Sequence, residues 1–325
     1  MTSPKIFLTR QLPPKSMQIL EKGSQLKMNP DDRYLSKEEI IEGVQGMDGL
    51  LCLLTDQIDA EILDANPNLK VVANYAVGFN NVDVAAATER KIPVTNTPGV
   101  LTDTTADMAF ALLMAAGRRV AEGDRFVRTR GWTGWGPLQF LGGDITGATL
   151  GLVGMGRIAQ AMVPRAQGFD MEVIYWNRTR LPAEQEAKLN VTYAPLESVL
   201  AQSDFVSVHV ALNEETRHLI GEAQLALMKP TACIINTARG PVIDEKALVH
   251  ALQSGVIASA GLDVYENEPL LEPELYELEN AVVAPHLGSG TIGTRTKMGN
   301  MAAENCLAAC RGQRPKNLVN PEIYA

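Results

Sequence analysis

An α/β chain of two Rossmann- or flavodoxin-like domains, each a doubly wound parallel sheet, with a cleft between them, is predicted from three observations in these 325 residues. A strand, a glycine turn and a helix run together at Leu150–Met162, almost halfway along the chain. Strand-like and helix-like stretches alternate on both sides of that run, joined by connections long enough for parallel crossovers. The composition, 46% hydrophobic and 21% charged, is that of an ordinary globular protein with core material for two domains.

The first domain opens with strand-like Lys5–Arg10 and helical Pro13–Lys22. A further helix enters at Ser36, where Glu39 completes a capping-box pattern. Gly49–Leu54, Lys70–Ala76 and Pro93–Thr97 read as strands, with helical Asp59–Ala65 and Val82–Arg90 between them. Asp103–Arg119 is a long apolar helix pattern leading into the second domain, and Arg118 and Arg119 complement the negative end of its dipole. Beyond the glycine turn, strands recur at Glu172–Trp176, Asp204–Val210, Ala232–Asn236, Ala258–Asp263 and Ala281–Ala284. Residues 298–313 form an alanine-rich helix, and the short tail Pro315–Ala325 is expected to fold back on the first domain.

Several function classes are disfavoured. The net charge of −9, without a basic arm or Arg/Lys cluster, offers nothing to nucleic acid. No apolar run reaches membrane-spanning length, and Lys5–Arg10 lacks the pattern of a signal peptide, so a cytoplasmic enzyme without a membrane partner is expected. Cys52, Cys233, Cys306 and Cys310 form no Cys-x-x-Cys pair. Cys306 and Cys310 lie one helical turn apart with no further ligand nearby, so reduced core thiols and no metal are expected.

The turn itself has the form G-x-G-x-x-A. Gly154 permits a tight bend, Gly156 lets the backbone approach a pyrophosphate, and small Ala159 allows close helix–strand packing. Arg157 and Ile158 open the helix whose N-terminal amides would meet the anion. About twenty residues further on, a carboxylate would accept from the adenosine ribose hydroxyls of NAD and repel a phosphate there. This chain has Asn177 at that place, followed by Arg178, Thr179 and Arg180. A neutral amide, a hydroxyl and two guanidiniums match a ribose 2′-phosphate, so NADP(H) is expected over NAD(H), with Arg178 or Arg180 pairing with the phosphate.

Three chemically complementary groups follow successive strands of the second domain, at the sheet edge where open α/β folds bind ligands. Arg239 follows Ile234–Ala238, Glu268 follows Gly261–Asn267, and His286 follows Val282–Pro285. A guanidinium suits a planar carboxylate, an imidazole can move a proton, and a neighbouring carboxylate favours its protonated form.

With those residues stands a wider set: Asn74–Asp83, Thr104–Asp107, Asn236–Gly240, Gly261–Val264 with Glu268 and Pro269, and Pro285–Ser289. Over essentially its whole length the chain resembles the D-2-hydroxyacid dehydrogenase family. Within it, Gly131–Pro137 and the arginine stretch after the second strand look most like glyoxylate/hydroxypyruvate reductases. The resemblance implies that Arg239 grips the carboxylate and carbonyl of a 2-oxo acid, that His286 protonates the carbonyl oxygen as hydride arrives, and that Glu268 pairs with His286. It also implies that Val77 and Gly78 present backbone amides to the substrate carboxylate and that Asp263 receives the nicotinamide amide. Thr105, Thr237 and Gly288 would line the cofactor. Trp135 corresponds to a tryptophan that in such reductases reaches the neighbouring subunit's site, so a homodimer is expected.

The expected division is a discontinuous substrate-binding domain, 1–100 plus 290–325, and a dinucleotide-binding domain, 101–289. The expected function is NADPH-preferring reduction of glyoxylate or hydroxypyruvate to the 2-hydroxy acid. A 2-ketogluconate or other D-2-hydroxyacid dehydrogenase, or a non-enzymatic nucleotide-sensing scaffold, are the alternatives.

Overall fold

A computed structural model describes residues 3–325 and resolves the chain into two compact units: the described residues up to Leu101 with Gly290–Ala325, and Thr102–Ser289.

The first unit holds strands β1 (Lys5–Leu8), β2 (Gln25–Met28), β3 (Gly49–Leu53), β4 (Val72–Tyr75) and β5 (Val94–Thr95), all parallel, in the order β2-β1-β3-β4-β5. This is the flavodoxin-like order. Strand period 2 sends Ile6 and Leu8 into one core and Phe7 into the other. Helices begin where side chains can take orphan amides. Ser36 and Glu39 form a complete capping box, and Asp59 and Asp83 accept from Ile62 N and Ala86 N. The helix Ile292–Cys310 packs on the β1, β3 and β4 side. The tail then docks on β5, where Asn320 Oδ1 accepts from Val94 N at 2.8 Å and Val319 N donates to Val94 O at 2.8 Å. All four cysteines are buried free thiols.

The second unit holds β6 (Thr149–Val153), β7 (Glu172–Trp176), β8 (Thr192–Tyr193), β9 (Phe205–Val208), β10 (Cys233–Asn236), β11 (Ser259–Leu262) and β12 (Ala281–Val283). The order is β12-β11-β10-β9-β6-β7-β8 and every pairing is parallel, the Rossmann pattern with one added strand. Both faces are covered. In β10, Ile234 enters one core while Cys233 and Ile235 enter the other, and burying a side chain of that size contributes about 1.5–3 kcal/mol.

Four elements depart from the sequence reading. The last helix runs Ile292–Cys310 instead of 298–313, because Thr291 caps it earlier, accepting from Thr294 N. β2 and β8 were not expected, because an edge strand buries only one side and leaves no apolar run to read: β2 alternates exposed and half-buried. The long helix ends at Gly117, not Arg119. Arg119 takes a left-handed conformation (φ 54°) and forks to Glu122 at 2.6 and 2.7 Å, starting a separate helix, Val120–Arg128. Among the described residues no helix is long and apolar enough to cross a membrane, and no group of three or more His, Cys, Asp or Glu side chains is placed to hold a metal.

Candidate active site

The glycine turn follows β6 at the switch point, where the chain continues to β7 on one side and β9 lies on the other. Gly154 has φ +96°, and a Cβ there would stand 2.9 Å from the main chain of His209 after β9, so both backbone freedom and close approach require glycine. A Cβ on Gly156 would meet nothing within 4 Å, which leaves an open cradle at the start of the helix Arg157–Gln167. Ala159 is fully enclosed in the core between that helix and the sheet. Arg157 is exposed and Ile158 half-buried.

Asn177 closes the turn from the end of β7. Its Oδ1 accepts from Met155 N at 3.1 Å and its Nδ2 donates to Thr179 O at 2.7 Å. The two arginines differ in a way their spacing does not reveal. Arg180 forks onto Glu186 at 2.9 and 2.8 Å and lies 5.3 Å from the ring centre of Tyr193. Glu186 also accepts from Tyr175 Oη at 2.7 Å, and these bonds hold its carboxyl at about 2. Arg178 has one partner, Glu215 at 3.0 Å, in a pair whose side chains are 79% and 71% exposed.

On the other side of the sheet's midline, Arg239, Glu268 and His286 follow β10, β11 and β12. Glu268 Oε2 and His286 Nδ1 lie 2.8 Å apart. Glu268 Oε1 accepts from Tyr265 N at 3.1 Å. Burial pushes the Glu268 carboxyl up, but the hydrogen bond and charge of His286, the Tyr265 amide and the Arg239 charge together leave it below the ordinary glutamate value. Arg239 shares the Glu268 field, and desolvation lowers its pKa from the ordinary arginine value. His286 sits in a left-handed conformation, φ 54°, with its N–H shared between Asp263 O and Ala284 O at 3.0 and 3.1 Å.

Asp263 is 1% exposed, and its two carboxylate oxygens accept from Leu287 N at 2.6 Å and Gly288 N at 2.7 Å. It therefore shapes the loop carrying His286, while each oxygen keeps a lone pair for a ligand amide. Burial raises its pKa against those two bonds. Thr105 Oγ1 donates to Gly288 O at 3.2 Å, which brings Thr105, Asp263 and Gly288 into one patch. Thr237 is buried, yet its hydroxyl has no partner within the protein.

Two positioning features escaped the sequence reading. Asn236 bridges its own loop, accepting from Ala238 N at 3.0 Å and donating to Arg239 O at 2.9 Å; an asparagine three residues before an arginine–glycine pair is the signal that could have revealed such a turn. Tyr265 Oη donates to Ala284 O at 2.9 Å and ties the loop after β11 to the end of β12. A Cβ on Gly240 would fall 1.8 Å from the carbonyl carbon of Tyr265, so the loops bearing Arg239 and Glu268 meet main chain to main chain.

Val77 and Gly78 follow β4 in the first unit. Trp135 is 83% exposed on the segment after the helix Val120–Arg128.

A nicotinamide dinucleotide fits these residues. The open cradle at Gly156, the orphaned hydroxyl of Thr237 and the buried carboxylate of Asp263 are the groups its pyrophosphate and amide require.

Comparison with known proteins agrees. Residues 110–288 match the model of the D-isomer specific 2-hydroxyacid dehydrogenase, NAD binding domain. A glyoxylate reductase of Korarchaeum cryptofilum is 52% identical over 322 residues, covering 98% of this chain and 97% of that one. The crystal structure of a glyoxylate reductase from Paecilomyes thermophila superposes with a TM-score of 0.87 at 36% identity, covering 99% of this chain and 100% of that one. An NADPH-dependent glyoxylate/hydroxypyruvate reductase from Sinorhizobium meliloti, solved with citrate, gives a TM-score of 0.84 at 31% identity over 97% of each chain.

Proposed function

This chain belongs to the D-isomer specific 2-hydroxyacid dehydrogenase family, and on that premise we propose that it reduces glyoxylate or hydroxypyruvate to the 2-hydroxy acid, with NADPH preferred over NADH. The observation that carries the reading is the 2.8 Å pair of Glu268 and His286, with the half-buried guanidinium of Arg239 acting on Glu268.

When bound, a reduced nicotinamide supplies the hydride. The chain's own residues do the rest. Arg239 binds the substrate carboxylate and polarises the carbonyl, stabilising negative charge as it develops on that oxygen. His286 holds the proton at Nε2, since Nδ1 is engaged by Glu268, and passes it to the carbonyl oxygen. Glu268, held below the ordinary glutamate value and so ionised down to acid pH, orients the ring through its bond to Nδ1. Val77 N–H and Gly78 N–H hold the carboxylate, Asp263 accepts from the nicotinamide amide, and Thr105, Thr237 and Gly288 line the cofactor.

The preference for NADPH is supported by the neutral amide of Asn177 at the ribose position and by Arg178. An exposed ion pair such as Arg178–Glu215 is worth only about 0–1 kcal/mol, so the arginine is readily given up to a 2′-phosphate. Arg180, already forked onto Glu186, contributes its field more than a new fork. The structural relative from Sinorhizobium meliloti is named as NADPH-dependent, in line with this reading.

We also propose a homodimer. The helix Val120–Arg128 buries none of its residues, and Trp135, Leu138 and Leu141 are 83%, 82% and 62% exposed. The base of this arm is fixed, with Phe126 and Phe140 rings 5.0 Å apart and Arg119 5.1 Å from Phe140. A braced base under an apolar tip supports a surface that a second copy covers, from which Trp135 restricts the substrate of the neighbouring site.

The test is oxidation of NADPH and of NADH by the purified protein with glyoxylate, hydroxypyruvate, pyruvate and 2-ketogluconate. Turnover with glyoxylate or hydroxypyruvate and lower KM for NADPH is expected. No turnover with any pair overturns the reading.

A further inference from the structure

The turn after β4 has its carbonyls held one after another. Thr97 N donates to Ala76 O at 2.8 Å, Asn96 Nδ2 donates to Val77 O at 2.8 Å, and Asn74 Nδ2 donates to Gly78 O at 3.0 Å. In a planar trans peptide the carbonyl and the next residue's N–H point in opposite directions. Anchoring those three oxygens therefore turns the N–H groups of Val77, Gly78 and Phe79 away from the anchors. Among the described residues none of these three N–H groups has a partner.

The anchors are themselves braced. The Asn74 amide also donates to Asn81 Oδ1 at 3.0 Å, and Asn81 Nδ2 donates to Leu53 O and Asp56 O, each at 3.0 Å. Asp56 accepts from Leu53 N at 2.8 Å and from the Thr9 hydroxyl at 2.5 Å. Asn74, Asn81 and Asp56 are 0%, 4% and 6% exposed. The network thus links the ends of β1, β3 and β4 beneath the turn. Its amides have only one satisfactory orientation, because the Asn74 and Asn81 nitrogens face main-chain carbonyls, to which a carboxylate could donate nothing.

We propose that Asn96 and Asn74, with Asn81 behind Asn74, are positioning residues for the 2-oxo acid, holding the Val77–Gly78 turn so that its amides stand ready for the substrate carboxylate. The inference rests on the proposed reduction. The asparagines do not touch substrate. They remove the need to reorganise the turn at binding, so their loss weakens substrate affinity more than it slows the chemical step.

Asn96 carries the test because it is only half-buried, so its variants leave the core intact. Asn96→Ala, Asn96→Ser and Asn96→Asp are compared with wild type for KM and kcat with glyoxylate, the Ki of the unreactive analogue oxamate, the Kd of NADPH by fluorescence, and Tm. Oxamate Ki and glyoxylate KM are expected to rise about tenfold in Asn96→Ala. Asn96→Ser, which still offers a donor, should recover part of this, and Asn96→Asp, which sets a carboxylate against a carbonyl, should be worse than Ala. kcat and NADPH Kd should stay within about twofold. An Asn96→Ala enzyme with unchanged oxamate Ki, or Asp performing as well as Asn, overturns the positioning role while leaving the reduction standing. A wild type that neither turns over glyoxylate nor binds oxamate overturns both.

Discussion

Adding one methyl group at Gly240 should separate catalysis from cofactor binding. The Cβ of Gly240→Ala would stand 1.8 Å from Tyr265 C, 1.9 Å from its O and 2.4 Å from Glu266 N, where ordinary contact begins at 3.4 Å. No flexible side chain can swing aside, because every atom met is main chain, so roughly 1.5 Å must open between the loops after β10 and β11. Those loops carry Arg239 and Glu268, and a misplacement of about 1 Å at a reacting site costs on the order of a hundredfold in rate. Overpacking of this kind costs about 1–3 kcal/mol, which lowers Tm by a few degrees and leaves the protein folded. The assay is steady-state glyoxylate reduction alongside NADPH titration and a melting curve. kcat/KM should fall about a hundredfold while the NADPH Kd holds within about threefold, since the turn at Gly154–Ala159 lies elsewhere on the sheet. A variant with wild-type kcat/KM and unchanged Tm would refute the close approach and the geometry built on it.

Four other outcomes are expected. Glu268→Gln should lower kcat/KM at neutral pH by about ten- to a hundredfold, since it keeps the shape of the His286 partner and removes its charge. The folded-state pKa of Glu268 is depressed, so its contribution is complete above the ordinary 4.5 and is lost as pH falls through the lower folded value; an acid limb below 4.5 should be present in wild type and missing from Glu268→Gln. Arg178→Ala should raise the KM for NADPH about tenfold or more with little change for NADH, whereas Arg180→Ala, which strands Glu186, should lower Tm and affect both cofactors; equal effects of Arg178→Ala on the two cofactors would remove the phosphate assignment. Leu138→Arg in the exposed arm should give a monomer by light scattering and raise the KM for glyoxylate if the partner's Trp135 completes the pocket, and a dimer of unchanged mass would dismiss the arm as the interface.

Much of the site was legible because its chemistry travels with local backbone. The glycine turn, the capping box at Ser36 and the strands that end just before Arg239 and His286 are short-range patterns, written by side-chain size, φ preference and period. Other parts were not. β2 was missed because an edge strand need not be apolar, and Arg119 was read as the end of one helix when it begins the next.

By itself, the sequence determined two parallel α/β sheets and which loops end at their ligand edges, since periodicity and turn chemistry act within a few residues. Only the tertiary structure decided which polar groups answer one another. Glu268 meets His286 across 18 residues of chain, Asp263 holds the amides of Leu287 and Gly288, Arg180 is committed to Glu186 while Arg178 keeps a loose partner, and Asn96 and Asn74 hold the carbonyls of a turn whose amides point away from them. A buried polar group must find a partner, but which one it finds depends on how distant strands come to lie side by side.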